Sequence, residues 1–436
     1  MTRQNLGGAE PAPTVLVALT WALLFAVVAC QGGAAEVDET DVWIGTVTTE
    51  GNVTTVVNES GSVWGGAPEL VEEASIGVEA GGDEYMLGEV AGLAATTDKI
   101  FVIDRQVPAL RVYDHRGVYL YDIGAPGQGP GEFQEPSSIA IASDGRLFLR
   151  DDDAHRIWMY SQAGEYLGAY QMAGGLHTST PLTLSPDDVP YTPVVVRLQV
   201  QDPRRMFVLA MQAHGEDGAY GVQILPPIDE TFTPGVASNE QGSVQRNVPF
   251  YPAEQWALTP ELGLVSGVSR SYRFEVRHAD GSTLVVERTG EPVPVDAAEA
   301  DWNKRRTTAI MRDILPEWVW GDTPGVPARK PAFDEFIPTH SAEIWVLRPG
   351  PGIRLPDCDD EAETSEEFAA YPCWRDRRVV DIFGDDGRLL GSFEPPADMR
   401  FSPRPYIDGD LVIARAEDDD AMSMVKRYRL VWSQEQ

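Results

Sequence analysis

Asp151, Asp152 and Asp153, with His155 two residues on, are side chains that could hold a hard cation, because calcium sites are built from clustered carboxylate oxygens. The pattern lacks the glycine turn and closing glutamate of an EF-hand loop. It reads first as a solvated loop, with calcium as the weaker alternative; no resident metal or other cofactor is expected. Residues 124–131 are glycine-rich and invite a phosphate-loop reading. They carry no Lys-Ser/Thr pair, Pro130 has no N–H to donate, and Glu132 would repel phosphate, so the stretch reads as a turn. The six histidines, His115, His155, His177, His214, His278 and His340, form no metal-spaced pair, and no GxSxG elbow occurs. Catalytic residues are therefore not identified. Trp64, Trp158, Trp256, Trp302, Trp318, Trp320 and Trp345 could line a sugar or peptide site, although buried packing is the simpler expectation.

The elements that would position these groups come from a repeat. Residues 99–120 align without gaps to residues 146–167 at a shift of 47, with Phe101/Phe148, Asp104/Asp151, Tyr113/Tyr160, Gly117/Gly164, Tyr119/Tyr166 and Leu120/Leu167 identical. Arg105 and Gln106 replace the second and third aspartates in the sister copy, so a cation site would not recur. Each copy reads as short alternating strands separated by Asp-Gly or Ala-Gly turns. Four strands per 40 to 50 residues is the footprint of a propeller blade, whose faces are buried only against neighbouring blades. The aromatic pairs are expected to be buried alike. Weaker echoes occur at residues 271–288 and 377–393, where Phe383 and Gly387 keep the spacing of Tyr113 and Gly117. Residues 173–265 fit poorly.

The segment GQGPGEFQEPSSIAIASDGRLFLRD, residues 127–151, resembles the NHL-type repeat of six-bladed β-propellers, and the chain is similar to bacterial lipoproteins of that architecture. The expected fold is all-β, a propeller of six blades with seven as the alternative, over residues 41–436. Residues 42–60 are β-rich and could supply the strand that closes the ring, with residues 424–432 in the partner blade. Residues 296–315 have helical composition and begin with an aspartate cap, which predicts a helical insertion on one rim.

The address lies at the N-terminus. Residues 15–29 are apolar and uncharged, long enough for a signal peptide but short of the ~20 residues a membrane-spanning helix needs. Val27, Val28, Ala29 and Cys30 resemble a bacterial lipobox. That resemblance implies removal of residues 1–29, lipid such as palmitate on Cys30, and a flexible tether over residues 30–40. Arg3 is the only basic side chain before the apolar run and Glu10 stands beside it, so the positive charge of a leader is weak here. With Gln31 rather than aspartate after the cysteine, the resemblance places the protein at the bacterial cell envelope, on the outer membrane if the host has one. Cys358 and Cys373 remain as an even pair, expected to form a disulfide in an exported, oxidising compartment. It would close a loop whose acidic sequence reads as a surface excursion.

Sixty-eight acidic against 34 basic residues give a formal charge of −34, which opposes nucleic acid as a partner. A strong scaffold and export signal without a catalytic motif lead to a non-enzymatic binding or interaction module, monomeric and membrane-tethered. Its rim loops would recognise a protein, peptide or glycan. The alternative is a metal-dependent hydrolase, lactonase or lyase, because some six-bladed propellers place calcium or zinc ligands at the central channel.

Overall fold

The computed structural model describes residues 42–198, 207–215, 218–239, 244–356, 358–359, 361–370, 372–418 and 421–432. The apolar leader, Cys30 and the tether of residues 30–40 lie outside the described residues. Six blades close into a ring. Blades 1 and 2 follow the 47-residue repeat, with innermost strands Val90–Ala95 and Pro136–Ile141 and outermost strands Tyr119–Ile123 and Tyr166–Gln171. Blade 3 runs from Thr183–Leu184 to Tyr220–Ile224, blade 4 from Glu254–Leu258 to Thr283–Arg288, and blade 5 from Glu335–Pro338 to Leu389–Phe393. Blade 6 takes Tyr406–Asp408, Leu411–Glu417 and Ser423–Val431 from the C-terminal end and Glu69–Ile76 from the N-terminal end.

The repeat identities have physical causes. Phe101, Phe148 and Tyr113 have no exposed surface and Tyr160 has 2%, so these pairs fill equivalent positions in the ring. Gly117, Gly164 and Gly387 occupy the turn before each outermost strand with φ of 85°, 87° and 80°, a region that costs a side chain strain. Asp104 and Asp151 are both fully buried. Asp151 accepts from the backbone N–H groups of Gln134, Glu135 and Ala154 at 2.8, 2.9 and 3.0 Å, and from Trp158 Nε1 at 3.2 Å. Asp104 accepts from Gly88, Glu89 and Gln106 and pairs with Arg111 at 3.1 Å. The aspartate that begins the acidic run is thus a fixed acceptor tying down the connection into its own blade.

The closing strand differs from the expectation. Glu69–Ile76, not residues 42–60, pairs antiparallel with Ser423–Val431. Ile44–Glu50 and Val53–Ser60 form a hairpin instead, and the second of these runs parallel to Thr283–Arg288, extending blade 4 to six strands. Asn58 fixes that choice: buried, it donates to the Glu287 and Gly387 carbonyls and accepts from Leu389 N–H.

The helical insertion forms as expected. Helix α1, Ala297–Ile314, is capped by Asp296, whose side chain accepts from the N–H groups of Ala298 and Glu299. Cys358 and Cys373 are bonded, S–S 2.06 Å. The loop they close is more than a surface excursion, because Phe368 of helix α2, Ser365–Ala370, meets Trp302 edge to face at 5.7 Å. With Ala362 and Cys373 these rings make a small core of their own under α1.

Candidate functional site

The innermost strands surround a central channel of about 730 Å³, lined by residues of all six blades. Six prolines, Pro181, Pro186, Pro260, Pro338, Pro403 and Pro405, stand in its wall. They withhold backbone donors from the inner edges and fix φ, so the walls are pre-formed. Leucine, isoleucine and alanine share the rest of the wall with serines and threonines, among them Ser138, Thr183 and Ser185.

The two ends are polar and unlike. Inner strands start at one end, where Arg105 pairs with Glu89 and, at 3.0 Å, with Glu135. On the blade 5 and 6 side of the same mouth, Arg404 pairs with Glu335 at 3.0 Å and Arg415 pairs with Glu417. At the other end Asp188 accepts from Ser143, and the His340 ring lies tilted against Tyr406 with ring centroids 4.8 Å apart. The mouth at the strand starts is therefore rimmed by arginine–carboxylate pairs on blades 1, 2, 5 and 6.

Residues 173–182 cross beside that mouth on their way from blade 2 to blade 3, held by a buried ion pair. Arg150, 1% exposed, lies 3.2 Å from Asp152 and donates to the Thr178 and Thr180 carbonyls at 3.0 and 2.7 Å and to Ser137 Oγ at 2.8 Å. Asp152 is 2% exposed and accepts from Leu176 N–H. The reading of residues 151–155 as a solvated loop is corrected in part: Asp151 and Asp152 are buried and committed, while Asp153, 3.4 Å from His177, and His155 are exposed. Partners 24 to 30 residues downstream make this burial, and no local pattern announces them.

Other sequence candidates are dispersed. His214 is buried, its Nε2 2.7 Å from Thr192 Oγ1, and burial holds its pKa below the usual value. Trp158, Trp302, Trp318 and Trp345 are buried, as packing predicts, while Trp64, Trp256 and Trp320 are half-buried. A polar cluster that sequence reasoning missed lies between blades 4 and 5. There Asp381, with no exposed surface, accepts from Tyr272 Oη at 2.7 Å and Arg348 Nε at 3.0 Å and pairs with Arg288. Burial opposes ionisation of Asp381, but the two guanidiniums hold its carboxyl below the ordinary range, while burial drives the Tyr272 hydroxyl well above its own. Among the described residues, no group of three or more His, Cys, Asp or Glu side chains is placed to hold a metal ion.

Among known families, one described as a 6-bladed beta-propeller, DUF5128, matches residues 80–176. No curated protein matches this chain. Solved structures similar to it include a DUF4221 family member from Bacteroides vulgatus, 10% identical over 84% of this chain and 99% of that one, TM-score 0.43. An exported protein from Bacteroides fragilis is 9% identical over 84% and 95%, TM-score 0.42. Virginiamycin B lyase from Staphylococcus aureus is 10% identical over 78% and 95%, TM-score 0.36.

Proposed function

We propose that this chain is a ligand-binding propeller of the bacterial cell envelope, tethered through lipid on Cys30, with the central channel as its binding site. The observation that carries the reading is the channel itself, whose volume of about 730 Å³ falls within the roughly 300–1,000 Å³ usual for small-molecule pockets. Proline-stiffened walls reduce the ordering cost of binding, and paired charges at the mouth supply orientation without demanding a charged ligand. The ligand class that fits is a compact molecule or peptide segment that presents both apolar and hydrogen-bonding groups. Carboxylates at the mouth are engaged by arginines, which favours recognition over acid–base chemistry.

Ala91 lines the channel from blade 1. Ala91→Trp should obstruct the bore and weaken binding of an anilinonaphthalene sulfonate probe by about tenfold, roughly 1.4 kcal/mol, with the thermal unfolding transition retained. Equal probe fluorescence in variant and wild type, at matched stability, would place the probe elsewhere and remove support for the channel.

The tether has its own test. Cys30→Ser should shift the protein from the membrane fraction to the soluble fraction or leave it as uncleaved precursor. Mature wild-type protein that is soluble and shows an unmodified Cys30 by mass would end the lipoprotein reading.

A further inference from the structure

Blades 3 and 4 part along an open seam. Its buried apolar residues are Tyr191, Met211, Ala213 and Leu258, whereas the next seam packs Phe274, Phe333, Phe336 and Phe383 together. Val195 and Phe207, on the same sheet face as Leu209, stay 56% and 63% exposed. The result is a cleft of about 410 Å³ that shares no lining residue with the central channel. Leu209, Pro226 and Pro227 make one wall apolar, and Trp256 stands in the other with Arg270, Arg273 and Arg277. Elsewhere tryptophan rings are engaged: Trp64 stacks on Trp432, Trp158 donates to Asp151 and Trp320 donates to Thr308. Trp256 is half-buried and has no hydrogen bond or ring partner among the described residues.

Three carboxylates, Asp229, Glu254 and Glu275, balance the three guanidiniums, so the cleft is formally neutral in a chain of charge −34. Glu275 lies 3.0 Å from Arg273 and 3.4 Å from Arg277, and Asp229 lies 3.1 Å from Arg270. These ion pairs set planar forks of donors and acceptors in place before a ligand arrives. We propose that the cleft binds a neutral pyranose unit of an oligosaccharide, its C–H face stacked on Trp256 and its hydroxyls bonded to the arginine–carboxylate lattice. The chemistry matches on both sides: an indole is a broad apolar platform with one polar edge, and a pyranose has an apolar C–H face inside a rim of hydroxyls. A charged ligand would find no excess counter-charge here. An extended peptide is disfavoured because both walls are sheet faces, whereas strand addition needs a free backbone edge.

Calorimetric titration of the intact protein with maltohexaose, cellohexaose and mannohexaose tests the site, with a galacturonate hexamer and a random hexapeptide pool as the charged and peptide alternatives. At least one neutral sugar should bind, more tightly than either alternative. Trp256→Ala should weaken that binding by about tenfold, and Trp256→Phe, which keeps a ring, should retain most of it. Bound sugar should also slow the oxidation of Trp256 by N-bromosuccinimide several-fold, mapped by mass in the wild-type protein, so the test stands even if Trp256→Ala does not fold. Binding by none of the three neutral sugars, tighter binding of galacturonate or peptide, undiminished affinity in folded Trp256→Ala, or unslowed oxidation of Trp256 would each overturn the proposal. The channel experiment reads other residues, so either site can fail without the other.

Discussion

Deletion of the chain after Asp408 is expected to abolish the native ring and yield soluble aggregates or insoluble protein rather than a trimmed monomer. The deletion removes Leu411–Glu417 and Ser423–Val431, the two middle strands of blade 6. With them go Val412, Ile413, Val425, Tyr428 and Leu430, all buried. At about 2 kcal/mol for each large buried side chain the loss is on the order of 10 kcal/mol, comparable with the whole stability of an ordinary domain. Glu69–Ile76 would lose its pairing partner among the described residues, and the facing surfaces of blade 5, around Trp345 and Ile382, and of blade 1, around Val90 and Val102, would be uncovered. Unpaired edges and bared apolar faces favour association. Size-exclusion chromatography and thermal unfolding decide the matter: a monomer with an unshifted, cooperative transition would show that the ring does not depend on this closure.

Asp152→Ala is expected to destabilise the protein by about 3 kcal/mol, whereas Asp153→Ala next door should change stability by less than about 0.5 kcal/mol. The two carboxylates differ in surroundings rather than chemistry. Removing Asp152 leaves the Arg150 guanidinium buried without its counter-charge, and bonds to Ser137, Thr178 and Thr180 compensate only in part. Asp153 has 58% of its side chain in solvent. The larger loss should be accompanied by loosening of residues 173–182, seen as faster amide exchange there than in blade 5. Equal effects of the two substitutions on urea unfolding midpoints would mean that the buried pair does not fasten this crossing.

Residue spacing alone carried the blade. A 47-residue shift, aromatic pairs at matching strand positions and a glycine in the same turn are all products of short-range physics: strand alternation, ring packing and the positive φ of Gly117, Gly164 and Gly387. The capping aspartate of α1 and the pairing of the last two cysteines were legible for the same reason, since each depends on residue type within a short span. Closure was not legible. Val53–Ser60 and Glu69–Ile76 both have strand character, and only the partner edge distinguishes them: Asn58 is bound among blade 4 and blade 5 groups more than 200 residues away. The fate of the charges was equally hidden. Asp152 looked solvent-facing until Arg150 and the crossing of residues 173–182 closed over it, and Glu299 gained Lys330, which also pairs with Asp376, only when α1 folded back on blade 5. A carboxylate carries the same letter whether hydrated or buried. Desolvation and counter-charge come from strands far away in the chain, so the channel mouth and the buried Lys330 ion pairs exist only at the level of tertiary structure.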